Sequence, residues 1–163
     1  PNRLMPPSAE NYFGTDDFGR DIYSRIAYGA RLSLFTAMIV VFASATIGCI
    51  AGMTAGYAGG MVGEVIMRIA DMVLAFPAIL LAMVIVATLG PSLPNAILTL
   101  IAIGWPEYAR VMRSQTLVIT QQEYVLAANA IGTPHHTVLV RHVFPNSLPP
   151  FLLAQKREER MLR

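Results

Sequence analysis

Charged residues are scarce in this sequence and nearly missing from its middle. Only 13% of the 163 residues are charged and 55% are hydrophobic, whereas a soluble domain usually carries about a quarter charged residues. Residues 32–106 contain just three charged side chains, Glu64, Arg68 and Asp71. Such a distribution excludes a disordered chain and argues against an ordinary soluble globule. The sequence therefore predicts an integral membrane protein.

Cysteine and lysine each occur once. Cys49 lies within an apolar run, which excludes a disulfide framework and a cysteine-rich zinc site. A P-loop requires GxxxxGK followed by Ser or Thr, but the one lysine, Lys156, stands in the segment AQKRE. We therefore expect no enzyme activity and no bound cofactor, so that a partner subunit would bind and hydrolyse any ATP. The formal net charge of +2 is too small to indicate a nucleic-acid partner.

Two long uncharged runs predict three transmembrane helices, because a helix needs roughly 20 apolar residues to cross a hydrocarbon core of about 30 Å. The first run gives a span at about 32–56. The segment GPSLPN at 90–95 divides the second run, since glycine and proline end helices. The resulting spans lie at about 69–89 and 95–112, and Pro77 is expected to kink or break the former.

Small residues recur at every fourth position along the first span. Ser44, Gly48, Gly52 and Gly56 share one face of a helix, and such ridges let two backbones approach closely in lipid. Glycine is also common in membrane helices without such a role. Two consecutive GxxxG steps favour a packed bundle over an isolated anchor.

Several ionisable side chains have more than one interpretation. His135, His136 and His142 suggest a metal site, but such a site usually needs three or more convergent ligands. No acidic residue or cysteine is spaced to help them, so we expect no metal. Asp71 is either a buried functional carboxylate or an interfacial cap or neighbour of Arg68.

Residues 121–143 are predicted to form a helix–bend–helix element at the membrane edge. The first half contains good helix formers, and Gly132 suits a left-handed helix end. Thr133 and Pro134 fit the cap and first turn of a second helix over about 134–142. From patterning alone, the element is either an interfacial hairpin that covers the bundle or a docking element.

The same segment resembles the E-A-A motif of ABC-transporter inner-membrane permeases. The family pattern is E-A-A, three residues, G and a distal L-P, and the sequence has LAANAIG at 126–132 followed by FP at 144–145. Ala127, Ala128 and Gly132 match the pattern. Leu126 replaces the glutamate, and the distal positions carry His142 for isoleucine and Phe144 for leucine before the matching Pro145.

Further blocks resemble the dipeptide, oligopeptide and nickel branch of these permeases and occur in the expected order over about residues 12–150. They are GTDDFGRDIYSRIAYGARLSL (14–34), AGYAGG (55–60), MRIADMVLAFP (67–77), GPSL (90–93), YVLAANAIG (124–132) and RHVFPN (141–146). A chance match of so many ordered blocks is very unusual. The resemblance implies a permease subunit of an ATP-driven importer for peptides, related small solutes or nickel.

The fold implied by this resemblance is all-α, a polytopic transmembrane bundle with about three of the family's usual six spans and a cytoplasmic coupling helix. The partial permease domain would occupy residues 32–150, after an external polar segment at 1–31. Residues 57–68 and 113–143 would be cytoplasmic. The implied location is the bacterial inner membrane, where the protein would be multi-pass.

The resemblance also implies residue roles and partners. The coupling helix would contact an ABC ATPase subunit through Tyr124, Val125, Ala127, Ala128 and Gly132. The other implied partners are the lipid bilayer, a second permease subunit in a heterodimer, and an extracytoplasmic solute-binding protein. A charged cluster before the first span is either a salt-bridged external segment or a contact with the solute-binding protein or the second permease subunit. It comprises Asp16, Asp17, Arg20, Asp21 and Arg25.

The tail at 151–163 does not resemble the family. It begins as a hydrophobic helix with FLLA but continues as QKREERMLR, whose charges enter a bilayer only at high cost. We therefore expect a truncated or frame-shifted reading frame and a chain that does not transport alone. The alternatives are a non-functional permease fragment, a small channel or a structural membrane protein.

Overall fold

The computed structural model describes residues 3–147, and the regular elements in this range are helices. The charged tail at 151–163, including Lys156, lies outside the described residues. The predicted all-α class is confirmed. The helices are α1 (Ile22–Ala58), α2 (Gly60–Leu74), α3 (Ala78–Leu89), α4 (Leu93–Thr120), α5 (Glu123–Ala130) and α6 (His135–Val138), followed by a π-helical turn at Leu139–Val143.

Helix α1 is longer than the span that hydropathy predicts. Its 37 residues extend about 55 Å at 1.5 Å per residue, which exceeds a hydrocarbon core of about 30 Å. The helix begins ten residues before the predicted start at Leu32, because Arg25 and Arg31 end an apolar run without breaking a helix. Within residues 3–147, α1 is the single helix that is long and apolar enough to span a membrane unaided.

The chain breaks between α2 and α3, where the sequence predicts a kink or break at Pro77. Pro77 is the N-cap of α3, and the two helix axes differ by 90°. The predicted span at 69–89 therefore begins inside α2 and continues as α3 after the break, so it is not one straight helix. The pair has the composition of one membrane span only if both helices are counted together.

The predicted turn at 90–95 is held by side chains that the sequence supplies. Ser92 caps α4 by accepting a hydrogen bond from the backbone N–H of Asn95, at 3.3 Å. The Asn95 amide in turn donates to the carbonyl oxygens of Leu89 and Gly90, at 2.7 and 2.9 Å. Helix α4 then runs for 28 residues, beyond the predicted end at 112. Because its second half is polar, its mean hydropathy is below that of a membrane span. Three separate spans remain a prediction.

The small residues of α1 lie directly against α4. A side chain at Gly48 would collide with Tyr108, one at Gly52 with the Ala109 carbonyl, and one at Gly56 with Thr116. Ser44 approaches Gly104 one turn earlier. Since the contacts advance together along both helices, α1 and α4 run parallel in this region, at a separation that only small residues permit.

Of the described residues, 3–39 belong to one compact unit and 40–147 to a second. In the first unit, the Asp16 carboxylate accepts hydrogen bonds from the backbone N–H groups of Phe18 and Arg20, both at 2.9 Å, and pairs with the Arg20 and Arg25 side chains. These bonds, above all the one from the Arg20 backbone, hold the pKa of Asp16 well below its ordinary value. Asp21 caps α1 by accepting from the Ser24 backbone N–H at 2.9 Å.

Replacing Gly52 with leucine should separate α1 from α4. The new side chain would meet the Ala109 backbone and the Met112 side chain, so we expect a loss of about 1–3 kcal/mol in stability. Thermal unfolding in detergent measures this loss. Gly29→Leu is the matched control, because a side chain at Gly29 on the same helix meets nothing within 4 Å; equal losses in both variants would contradict the packing.

Acidification should loosen the Asp16 loop only well below neutral pH. Because the folded pKa of Asp16 is lowered, its stabilisation is present above the unfolded pKa of about 3.9 and is lost as pH falls through the folded value. The amide NMR signals of Phe18 and Arg20 should therefore stay constant above about pH 5 and shift below about pH 4. Asp16→Asn should abolish the transition and Asp17→Asn should not; a midpoint at or above 3.9 would refute the assignment.

Candidate coupling site

The candidate site begins where α4 ends and consists of α5, the bend at Gly132, α6 and the π-helical turn. Gln122 precedes α5 in an extended conformation, and Glu123 lies in the first turn, where a negative charge stabilises the helix N-terminus. Gly132 has φ 78°, the left-handed conformation that its sequence position predicts. The Thr133 N–H donates to the Ala128 carbonyl at 3.1 Å and the Gly132 N–H to the Asn129 carbonyl at 3.0 Å, which is a Schellman ending.

The second helix of the element differs from its prediction. Pro134, not Thr133, is the N-cap of α6, and its side chain makes no capping bond. The reason is that the Thr133 N–H closes α5, whereas the Pro134 carbonyl accepts the bonds that start α6, from Thr137 and Val138. Regular α-helix covers His135–Val138 and then widens into the π-helical turn. Helical conformation continues to residue 147, beyond the predicted end at 142.

An apolar cluster holds the two halves of the element together. Val125 and Val138 are fully buried, and each lies on the inner face of its helix. The cluster also includes the end of α4 at Ile119, and the last turns of α1 pack against it through Met53 and Tyr57. The element is therefore seated on the ends of α1 and α4, which the glycine contacts bring side by side.

The structure places the five predicted coupling residues on one short element but on two different faces. Tyr124, Ala127 and Gly132 are exposed, with 43% of Tyr124 accessible. Val125 and Ala128 are buried inside the element. A helix that packs positions i and i+3 inward turns the intervening positions outward, so only three of the five are at the surface.

Two residues that sequence reasoning missed flank this exposed face. Leu126 is 51% exposed and Ile131 is 82% exposed. Together with Ala127 and Ala130 they form the outer face of the element. A helical projection that places Val125 and Ala128 inward would have identified them.

Two further contacts connect residues that lie far apart in sequence. The Arg110 guanidinium of α4 donates to the Asp71 carboxylate of α2 at 2.6 Å, so Asp71 pairs across helices and not with its neighbour Arg68. Arg68 and Arg113 instead line an open groove of about 610 Å³ beside α2. His135 lies against Tyr57 of α1, and His142 lies near Tyr124, with ring centres 6.3 Å apart.

Within residues 3–147 no group of three or more His, Cys, Asp or Glu side chains converges in a way that could hold a metal ion. Two of the three histidines of the element lie against different aromatic side chains, His135 against Tyr57 and His142 near Tyr124. The outer face of the element presents alanine and aliphatic side chains on a short helix that is supported from beneath.

Comparison with known proteins gives relatives along nearly the whole chain. It is 46% identical over 152 residues to the dipeptide transport system permease protein DppC of Alkalihalophilus pseudofirmus, covering 93% of this chain and 50% of the relative. It is 41% identical over 151 residues to the probable D,D-dipeptide transport system permease protein DdpC of Escherichia coli, covering 93% and 51%. The oligopeptide transport system permease protein OppC of Bacillus subtilis is 38% identical over 152 residues, covering 93% and 50%.

The chain thus spans about half the length of the curated relatives it matches. A family match extends over residues 44–155 and includes α2, α3, α4 and the candidate coupling site. Since this match covers well over half of the chain, the chain belongs to the family of binding-protein-dependent transport system inner membrane components.

Proposed function

We propose that the chain is part of the permease subunit of an ATP-driven importer of peptides or related small solutes. Support comes from its family and from relatives that are named as dipeptide and oligopeptide permeases. The protein would lie in the bacterial inner membrane as a multi-pass subunit. Its partners would be a second permease subunit, two ATPase subunits and an extracytoplasmic solute-binding protein.

The observation that carries the proposal is the exposed outer face of α5 above a packed base. Ala127 and Ala130 project only methyl groups from this face, so a partner surface can approach the backbone closely. Val125 and Ala128 fix the helix from the inside. We assign the outer face to contact with a cleft on an ATPase subunit, and the two buried residues to support of that contact.

The packing beneath α5 gives a route from ATP hydrolysis to the membrane. The base of the element touches both α1 and α4, and these helices are in close contact along the glycine ridge. A force on α5 therefore acts on two packed helices together. Closure of the ATPase subunits would move the coupling elements and switch the bundle between inward-facing and outward-facing states.

Gly132→Val should uncouple ATP hydrolysis from transport in the full-length permease assembled with its partners. A β-branched residue in the left-handed conformation costs about 1–2 kcal/mol, which would be relieved by reorienting α5 against α6. We expect the number of solutes transported per ATP to fall several-fold while ATPase activity continues. Reconstituted proteoliposomes allow both rates to be measured.

Gly90→Val is the matched control for this experiment. Gly90 also has a positive φ, 88°, and a side chain there meets nothing within 4 Å, but it lies in the turn before α4. The control carries backbone strain at least as large, because Gly90 has ψ 154° and lies in a region that essentially only glycine adopts, and it should keep the transport-to-hydrolysis ratio. An unchanged ratio in Gly132→Val, or an equal fall in both variants, would contradict the coupling role.

Cysteine cross-linking tests which face of α5 meets the ATPase subunit. In a Cys49→Ala background, Ala127→Cys should form a cross-link to an ATPase subunit that carries cysteines along its cleft. Val125→Cys should not, because that position is fully buried. Cross-linking of both positions, or of Val125→Cys alone, would show that α5 docks through a different face.

A further inference from the structure

Tyr57, the penultimate residue of α1, reaches the coupling element from a distant part of the chain. Its hydroxyl lies 2.8 Å from Nδ1 of His135 and 3.3 Å from Oδ1 of Asn129. The Tyr57 and His135 rings meet edge to face, with centroids 5.7 Å apart. The ring of Tyr57 also packs against the apolar cluster beneath the element.

The two polar partners of Tyr57 lie on opposite sides of the bend at Gly132. Asn129 belongs to α5 and His135 to α6. A phenolic hydroxyl has one proton and can also accept, so it donates to the Asn129 amide oxygen and accepts from the His135 Nδ1–H. One side chain therefore holds both helices of the element at a set distance from the end of α1.

Tyr57 connects the element to a part of α1 that is packed against α4. The preceding residue, Gly56, is buried against Thr116 and the Arg113 backbone of α4, so the last turn of α1 is itself fixed. After Tyr57 the chain leaves α1 through Gly59 and Gly60, both at positive φ. Tyr57 therefore contacts the element from the last turn of α1, just before the chain leaves this helix.

We infer that Tyr57 is a positioning residue whose hydroxyl fixes the orientation of the α5–α6 element relative to α1. Its part in energy coupling rests on the proposed function, whereas its part in orientation does not. The ring contributes apolar packing, whereas the hydroxyl fixes the orientation of the element, since only the hydroxyl forms hydrogen bonds to both helices. The two contributions separate in Tyr57→Phe, which keeps the ring and removes both hydrogen bonds.

The orientation is measured by the distance between spin labels in the full-length permease in nanodiscs. Labels at Ile50 of α1 and Val140 of the π-helical turn occupy exposed positions, 58% and 65% accessible, in a cysteine-free background that includes Cys49→Ala. We expect Tyr57→Phe to broaden the distance distribution, with the non-native conformers enriched about 5- to 30-fold, as expected for the loss of two hydrogen bonds of modest net strength.

The matched control is Tyr28→Phe, which removes a hydroxyl from a tyrosine on the same helix that is 73% exposed. It should leave the distribution unchanged. His135→Ala should also broaden it, and the double variant should broaden it by less than the two single variants combined, because both remove the same Tyr57–His135 hydrogen bond. An unchanged distribution in Tyr57→Phe, or equal broadening in Tyr28→Phe, would overturn the inference.

A second measurement relates orientation to function in the assembled transporter. Tyr57→Phe should lower the number of solutes transported per ATP several-fold, and Tyr28→Phe should not change it. If the distances broaden but this ratio is unchanged, the positioning role of Tyr57 stands and the proposed coupling function fails. If the distances stay narrow, the positioning role fails whatever the ratio shows.

Discussion

The close contact between α1 and α4 is the constraint on which the rest of this structure depends. Gly48, Gly52 and Gly56 remove the side chains that would otherwise hold the two helices apart. In lipid, apolar surfaces gain little from leaving the solvent, so van der Waals contact between close backbones provides the association. The same contact brings the ends of both helices together, which creates the base that a further element can cover.

The α5–α6 element uses this base through two kinds of interaction. Val125, Ala128 and Val138 bury apolar side chains in a small cluster, which holds the two short helices against α1 and α4. Helices of eight and four residues are too short to be stable alone. Their conformation therefore depends on this packing and on the left-handed Gly132 between them. It also depends on the Tyr57 hydroxyl, because its hydrogen bonds are directional whereas apolar contacts are not.

Charged side chains lie where they can be solvated or paired. Asp16 collects two arginines and two backbone N–H groups in the unit that precedes the apolar part of α1. Asp71 and Arg110 instead bridge α2 and α4. An exposed ion pair of this kind contributes little to stability, about 0–1 kcal/mol, so its structural effect is to set how two polar helix faces meet.

The sequence by itself determined the helical class, the break at Pro77, the turn at 90–95 and the left-handed end at Gly132, because each depends on local backbone chemistry. Family membership was also recognisable from ordered motifs. Only the tertiary structure decided which face of α5 is exposed, since Val125 and Ala128 turn inward into a cluster with residues of α1, α4, α6 and the π-helical turn. It also decided the partners of Asp71 and Tyr57. These pairs lie 39 and 78 residues apart in sequence, and only packing of the intervening helices brings them within hydrogen-bonding distance.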